Sequence, residues 1–365
     1  MKFQKAFIVL LLLIIPFSLV QAEGRGASNG TQKIERSLAV DSSVIVSLCV
    51  NSGDVTVRGW NKNEILAKSS EVGSIELKRT PESNQTGAAS KVVVWLADKA
   101  DEPGGRSGCQ AYGGVQLMVP RGASVYLQTG DGTIDVGDVS AAYARTETGE
   151  ISISKASRSV EAISFSGAIS VENSTGRMSM KTVSGSIHAA NLRPNDENDC
   201  FEATTISGDL ELEHVAHQAV TVKTTNGAVG FSGPLARQGN YTFNTTSSDV
   251  TLSMPKDASF RLNARISRDR EVTTDFPLTL TIEDQPPMPA KKAVPPQPPE
   301  PAPEREPKHP MVVMVDPQDK SIKVKPVVVR SYYSLRRIKA VCGSGDALIT
   351  ITSFSGTIHL EDSGN

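Results

Sequence analysis

The chain has 365 residues, of which 38% are apolar and 5% aromatic, a length that suits one large or two ordinary domains. Its 38 Lys and Arg residues nearly balance its 40 Asp and Glu residues, for a net charge of -2. This balance gives no electrostatic reason to expect nucleic acid or an anionic membrane as a partner. Scarce aromatic residues combined with frequent Val, Ile, Ser, Thr and Gly are typical of thin β-strand layers.

The N-terminus, residues 1–22, is predicted to be a secretory signal peptide. Two lysines precede an apolar run from Ala6 to Val20, and Ala22 completes the small-residue pattern of a signal-peptidase site. This run is shorter than the roughly 20 residues that a membrane span needs, and no later stretch is long enough for one. We therefore expect an exported protein that acts in the periplasm, on the outer surface or as a secreted chain, beginning with a flexible lead at residues 23–33.

Residues 34–120 carry strand patterns without a strict repeat. Apolar and polar residues alternate around Val55 and Val57, and Lys91–Ala97 and Val115–Val119 have the composition of further strands. This segment is predicted to form a β-rich N-terminal cap, because the end of a repeat array otherwise exposes apolar side chains and unpaired backbone.

The 4 cysteines of an exported chain allow two disulfides, and three pairings of them are compatible with the sequence. A disulfide between Cys49 and Cys109 is the pairing we favour, since both lie in the predicted cap. Cys200 and Cys342 are equally compatible with a second bridge and with buried thiols. The scattered spacing of the four does not suggest a metal site.

One short unit recurs between residues 121 and 284. Three copies, VEAISFSGAISV, MSMKTVSGSIHA and FEATTISGDLEL, each centre on a Ser-Gly pair with apolar residues at alternate positions on both sides. Alternate side chains of a strand share one face, so each copy predicts strand, turn and strand. The template glycines are Gly53, Gly132, Gly149, Gly167, Gly185, Gly208, Gly227 and Gly356, with Ser248 at an equivalent position. From Gly132 to Ser248 the intervals are 17, 18, 18, 23, 19 and 21 residues, which predicts a repeat architecture.

Stacked copies predict an all-β, parallel β-solenoid, because no copy can bury its apolar face or pair its strand edges alone. Ser and Thr residues three and one positions before each glycine, such as Thr182 and Ser184, are expected to form ladders. Glycine is expected at the turn because this corner needs a positive φ. The longer interval before Gly208 contains a polar loop at Arg193–Asp199, and loops at a fixed corner are frequent binding sites.

Residues 285–310 are proline-rich and charged, and they predict an extended, disordered insertion. Reach through a peptidoglycan layer, docking on a partner's aromatic groove and a tolerated insertion are all compatible with this composition. Residues 311–365 contain the Gly356 copy and are predicted to be C-terminal rungs of the same solenoid.

The recurring apolar-x-apolar-x-T-x-SG-x-I-x-V unit, the opening NSGDVTVRGW and the segment VPRGASVYLQTGDGTIDV resemble the bacterial putative-adhesin family, which comprises exported β-strand-repeat domains of unknown function. The resemblance covers most of residues 40–282 and 340–362. It implies a right-handed parallel β-solenoid at the cell envelope, an adhesin-like role and no catalytic residues to transfer.

The closest approach to a catalytic set is Asp131, Asp135 and Asp138, but acidic residues do not recur at the equivalents of Asp135 in neighbouring copies. His214 and His217 are spaced so that a strand would not place both rings on one face, and nothing completes a metal site around them. His188 and His359 occupy the same position of the repeat unit as Asp135, but on distant copies. They are expected to be surface residues. The sequence therefore predicts a protein that is not an enzyme, with no catalytic, metal or cofactor-binding residues.

The leading hypothesis is a non-enzymatic exported solenoid whose outward strand faces and corner loops bind an envelope polymer, a surface or a protein partner. Two alternatives stay open. One is a polysaccharide-active β-helix enzyme, and the other is an envelope-stress or antimicrobial-peptide-sensing component. The sequence does not define the ligand or the oligomeric state.

Overall fold

A computed structural model describes residues 33–80, 87–98, 105–284 and 335–364. The predicted signal peptide, all but the last residue of the predicted lead, and the proline-rich segment lie outside these ranges. The described part of the chain contains 26 strands and one 3-10 turn at Gly108–Gln110. None of its helical segments has the length and apolar character needed to cross a membrane.

The strands are short and follow one another along the whole described chain. The first six are β1 (Ile34–Ser52), β2 (Val55–Trp60), β3 (Glu64–Ser69), β4 (Ser74–Arg79), β5 (Ala89–Ala97) and β6 (Val115–Pro120). The central fourteen are β7 (Ser124–Asp131), β8 (Ile134–Gly137), β9 (Ala141–Thr148), β10 (Ile151–Ser154), β11 (Ser159–Ser166), β12 (Ile169–Glu172), β13 (Arg177–Ser184), β14 (Ile187–Leu192), β15 (Cys200–Thr204), β16 (Leu210–Val215), β17 (Ala219–Lys223), β18 (Val229–Ser232), β19 (Asn240–Thr245) and β20 (Val250–Met254). The last six are β21 (Phe260–Ser267), β22 (Val272–Thr274), β23 (Thr279–Asp284), β24 (Leu335–Cys342), β25 (Ala347–Ser353) and β26 (Ile358–Asp362).

The strands of the central array form two parallel ladders. The odd-numbered strands β7–β19 pair with one another in sheet I, and the even-numbered strands β8–β20 pair in sheet II. One strand of each sheet, joined by the Ser-Gly corner, makes one rung. Pairing is in register with the repeat, so Ser166 of β11 lies between Thr148 of β9 and Ser184 of β13. The prediction of an all-β parallel solenoid with a β-rich cap is confirmed.

Both ends of the array depart from chain order. The rung β1/β2 lies between β5/β6 and β7/β8, and the antiparallel strands β4 and β3 cover β5 and β6. The rung β25/β26, which carries Gly356, lies between β19/β20 and β21/β22 rather than after them. Antiparallel β24 and β23 then extend sheet I. Each end therefore places an early or late part of the chain one rung inside the array.

The core is one column of side chains between the two sheets. The copy centred on Gly167 shows the pattern. Its inward residues are buried, as alternation along a strand requires: Val160 and Ala162 from sheet I, and Ile169 and Val171 from sheet II. The remaining rungs repeat this pattern, so each rung completes the core of its neighbours.

The Ser-Gly corner is close-packed between rungs. A Cβ atom on Gly185 would overlap the carbonyl oxygen of Gly167, and Gly132, Gly149, Gly167, Gly208 and Gly227 meet the preceding rung in the same way. Gly149 has a φ of +137°, whereas Gly185 lies outside the positive-φ region. The expectation that the corner needs a positive φ therefore holds at some rungs only, and the shared requirement is the close approach of two backbones.

Buried hydroxyl groups satisfy the corner carbonyls. Thr182 Oγ1 donates to the Gly167 carbonyl at 3.2 Å, and Thr205 Oγ1 donates to the Gly185 carbonyl at 3.1 Å. The equivalent Thr245 Oγ1 is buried and has no hydrogen-bond partner among the described residues. The predicted ladder three positions before each glycine thus has a specific task, which is to pair a carbonyl at the corner.

A second corner lies at the end of the sheet II strands β8, β10, β12, β14 and β16. Its residues adopt a left-handed conformation, with φ between 50° and 60°, at Asp138, Lys155, Asn173, Asn191 and His214. The intervals between them are 17, 18, 18 and 23 residues, the same as between the corresponding glycines. This corner could not be recognised from the sequence, because its residue types differ from rung to rung.

Candidate functional site

The acidic residues that come closest to a catalytic set occupy three different places. Asp131 lies at the Ser-Gly corner, where its carboxylate accepts a hydrogen bond from Thr148 Oγ1 at 3.0 Å. Asp135 is on the outer face of sheet II and forms an ion pair with Arg58. Asp138 is at the second corner. The three carboxylates therefore do not converge on one point, as hydrolysis of a glycan would require.

The paired histidines are also separated by the fold. His217 is fully buried, and its Nε2–H donates to the Gly176 carbonyl at 2.7 Å. Burial lowers the pKa of His217, an effect that the hydrogen bond to Gly176 and the charge of Asp199 oppose. His214 is exposed at the second corner. Within the described ranges, no group of three or more His, Cys, Asp or Glu side chains could hold a metal ion.

The other two histidines of the described residues have polar neighbours on the outer face of sheet II. His188 Nδ1 lies 3.6 Å from a Glu211 carboxylate oxygen. His359 Nδ1 lies 2.8 Å from Thr273 Oγ1. Both are outward-facing residues in separate polar contacts.

A groove of about 550 Å³ opens on the outer face of sheet I near its N-terminal end. We call it the aromatic groove and define it by Trp95, Tyr126, Tyr143, Gln128, Arg145, Glu161 and the Cys49–Cys109 disulfide. Its rings come from strands β5, β7 and β9. The groove is absent from the sequence-based predictions, although Tyr126 and Tyr143 occupy the same outward position of neighbouring copies.

Strand register brings the two tyrosine rings of the groove together. Tyr126 and Tyr143 are direct partners in the β7–β9 ladder, and their rings stack with centroids 4.3 Å apart and an angle of 5° between planes. Tyr126 stays 42% exposed. Burial raises the pKa of the Tyr126 phenol, and Tyr143 raises it further, so the ring stays neutral at physiological pH. The stack is a fixed, neutral platform at the surface.

Beside this stack the sheet surface is low. Ser47 of β1 lies between Tyr126 of β7 and Val93 of β5, and its small side chain leaves room above the sheet. Neighbouring strands are about 4.8 Å apart, so β5 and β7 are separated by roughly 10 Å. The groove thus has a floor at Ser47, with Tyr126 on one side and the residues of β5 on the other.

Trp95 supplies the aromatic surface on the β5 side and is 37% exposed. The Lys78 ammonium lies 4.5 Å from the centre of its ring. A Cβ atom on Gly108 would lie 2.8 Å from the indole, so only glycine allows the 3-10 turn to pack so closely. The Cys49–Cys109 disulfide, with Cα atoms 4.7 Å apart, ties this turn to β1.

Cys200 and Cys342 are free thiols, the first partly exposed and the second buried.

Three polar side chains border the rings. Gln128 and Arg145 are register partners on β7 and β9, and both are exposed. Glu161 of β11 is the partner of Tyr143 and is also exposed. An open groove with aromatic surfaces and a few polar groups has the general composition of a ligand site.

Residues 43–278, more than half of the chain, match the family model described as Toastrack DUF4097. A solved structure of a putative cell adhesion protein from Clostridium sporogenes is similar at 8% sequence identity, over 91% of this chain and 100% of that one, with a TM-score of 0.17. A score this low supports no structural inference. No curated protein matches the chain. The match over residues 43–278 confirms the resemblance noted from the repeats: the chain belongs to the Toastrack DUF4097 family of adhesin-like domains of unknown function.

Proposed function

We propose that this protein is a non-enzymatic binding protein of the cell envelope, and that its aromatic groove binds a glycan chain. The observation that carries the proposal is the stacked pair Tyr126 and Tyr143, which faces solvent beside Trp95. Export rests on the predicted signal peptide at residues 1–22.

Sugars fit the chemistry of this groove. Aromatic rings present broad apolar faces that pack against the C–H faces of pyranose rings. Gln128 offers an amide donor and acceptor, Arg145 offers donors only, and Glu161 offers acceptors for sugar hydroxyls. Ring contacts that flank a few polar groups give affinity and orientation together.

The outer face of sheet I also suits a polymer. Its strands run side by side for many rungs beyond Tyr143, so a chain that enters the groove can continue along the array axis. The enzymatic alternative is less well supported, because Asp131 and Asp135 have structural partners and lie apart. The sensing alternative has no specific feature in its favour among the described residues.

The test is binding of a panel of neutral and charged oligosaccharide hexamers to residues 23–365, measured by isothermal titration calorimetry. Replacing both Trp95 and Tyr126 by alanine is expected to weaken binding at least about fivefold, since each ring contact contributes about 0.5–1.5 kcal/mol and the two together about 1–3 kcal/mol. The matched control is Phe165→Ala, because Phe165 is 63% exposed at the Ser-Gly corner, outside the groove. The proposal is wrong if the double variant binds as tightly as the wild-type protein.

A further inference from the structure

We infer that the glycan bound by the aromatic groove is acidic, and that Arg145 determines this specificity by pairing with a sugar carboxylate. This inference rests on the proposed function, because the rings must first hold a sugar beside the guanidinium. It adds the chemical class of the ligand and one specificity-determining residue.

Arg145 is placed to contact whatever lies on the tyrosine stack. It is two residues after Tyr143 on β9, so both side chains project from the same outer face of sheet I. On its two sides in the ladder are Gln128, which is neutral, and Ile163, which is apolar. Arg145 is therefore the cation nearest to the stack within its own row.

The guanidinium has no ion-pair or hydrogen-bond partner among the residues that the structure describes. The carboxylates on the same face are Glu147, two residues along β9, and Glu161, on the neighbouring strand, and neither pairs with it. The cation at the equivalent position two rungs away does form an ion pair. Lys181, the equivalent of Arg145, forms an ion pair of 3.3 Å with Glu202, the diagonal residue equivalent to Glu161. The geometry therefore allows the pair, and at the groove it is not made.

A free guanidinium beside a sugar platform favours a carboxylate. Its planar donors match the two oxygens of a carboxylate in a bidentate pair, which is shorter and stronger than a neutral hydrogen bond. Further cations stand near the groove, since Lys78 covers Trp95 and the charge of Arg158 reaches Tyr126. Lys78 is paired with Glu76 at 3.3 Å, whereas Arg145 lines the groove itself and has no ion pair within the described residues, so Arg145 is the cation available to a ligand.

The experiment compares two ligands with one backbone, an oligogalacturonate hexamer and its full methyl ester, by calorimetry at low salt. Wild-type protein is expected to bind the acid about fivefold to tenfold more tightly than the ester, as a charge-assisted pair predicts. Arg145→Gln should remove this preference and keep the affinity for the ester. Arg58→Gln, on the outer face of sheet II and away from the groove, should leave both affinities unchanged.

The outcomes separate the inference from the proposed function. Tyr126→Ala should weaken both hexamers equally and preserve their ratio. Equal affinity of the wild-type protein for acid and ester, or a preference that survives in Arg145→Gln, would overturn the inference and leave glycan binding intact. Tighter binding of poly(glycerol phosphate) than of the acid hexamer would also overturn it, by assigning Arg145 to a phosphate. If wild-type protein binds none of these probes, both the inference and the proposed function are wrong.

Discussion

The N-terminal and C-terminal halves of sheet I place their aromatic residues on opposite faces. In the rungs of β7 and β9, Tyr126 and Tyr143 point outward, and the core position of β9 next to Tyr143 is Ala144. In the rung of β19, Tyr241 and Phe243 point inward and are fully buried. Packing explains the inward rings, because they fill the core. The ring centroid of Phe231 lies 5.6 Å from that of Tyr241 and 5.9 Å from that of Phe243. Packing does not explain the outward rings.

This difference teaches which aromatic residues the fold needs. A ring in the core is held by its surroundings on all sides, whereas a ring on the outer face of a strand has one side in water. Aromatic rings that are exposed to water and add little to core packing are candidates for ligand recognition. The predictions below test whether the two sets behave as differently as their positions indicate.

The largest expected effect is in the C-terminal core. Phe243→Ala should lower the free energy of unfolding by about 3–5 kcal/mol, because it removes a buried ring and leaves a cavity. Tyr143→Ala, the outward counterpart, should cost about 1 kcal/mol, the contribution of one ring stack. Urea unfolding followed by circular dichroism gives both values, and equal losses would mean that the outward stack is structural.

The hydroxyl ladder offers a second comparison between the halves. Thr182→Val should lower the free energy of unfolding by about 1 kcal/mol, because the Gly167 carbonyl loses its buried donor. Thr245→Val should be neutral or stabilising, since the Thr245 hydroxyl already lacks a partner within the described residues. The same urea titrations measure this, and a larger loss for Thr245→Val would contradict the assigned role of the ladder.

A pH dependence is expected from His217, which is buried beside the Gly176 carbonyl. Burial lowers the pKa of His217 in the folded state, so the unfolded chain binds more protons at mildly acidic pH. The contribution of His217 to the free energy of unfolding is constant above the ordinary histidine pKa of about 6.5. It is lost as the pH falls below that value. Between pH 7 and pH 5 His217→Gln should therefore lose less stability than the wild-type protein. Parallel pH profiles for the two proteins would rule this out.

The smallest expected effect is at the second corner. Lys155 has a φ of 54°, a left-handed conformation that costs a non-glycine residue about 1 kcal/mol. Lys155→Gly should raise the free energy of unfolding by about 0.5–1 kcal/mol. Lys181→Gly, in the middle of β13, should lower it by a similar amount. Thermal unfolding of the two variants distinguishes them, and destabilisation by both would show that the corner does not carry this strain.

Much of the architecture could be predicted from the repeats, because a Ser-Gly pair flanked by alternating apolar residues defines a rung by itself. The order of the rungs at the two ends could not. The pattern around Gly356 is that of an ordinary copy, and nothing in it specifies that β19 and β21 will be its neighbours. Position in an array is set by which edges are left unpaired, a property of the assembled chain.

The aromatic groove was overlooked for a different reason. The repeat is defined by its inward residues, whereas the signal for the groove lies in the outward ones. Tyr126 stands six residues before Gly132 and Tyr143 stands six before Gly149, so in-register stacking already places their rings together. Trp95 could not be added in this way, because β5 belongs to the cap, which has no strict repeat.

The most direct test of the groove as a binding site is the fluorescence of Trp95. The chain has 2 tryptophans, and Trp60 is tied by its indole N–H to the Glu64 carbonyl at 2.8 Å, so Trp60→Phe leaves Trp95 as the only reporter. We titrate this variant with the oligogalacturonate hexamer and with its methyl ester. A bound sugar should shift the Trp95 emission to shorter wavelength and protect it from acrylamide quenching. Hexamer binding that calorimetry detects without any change at Trp95 would contradict the groove as the site.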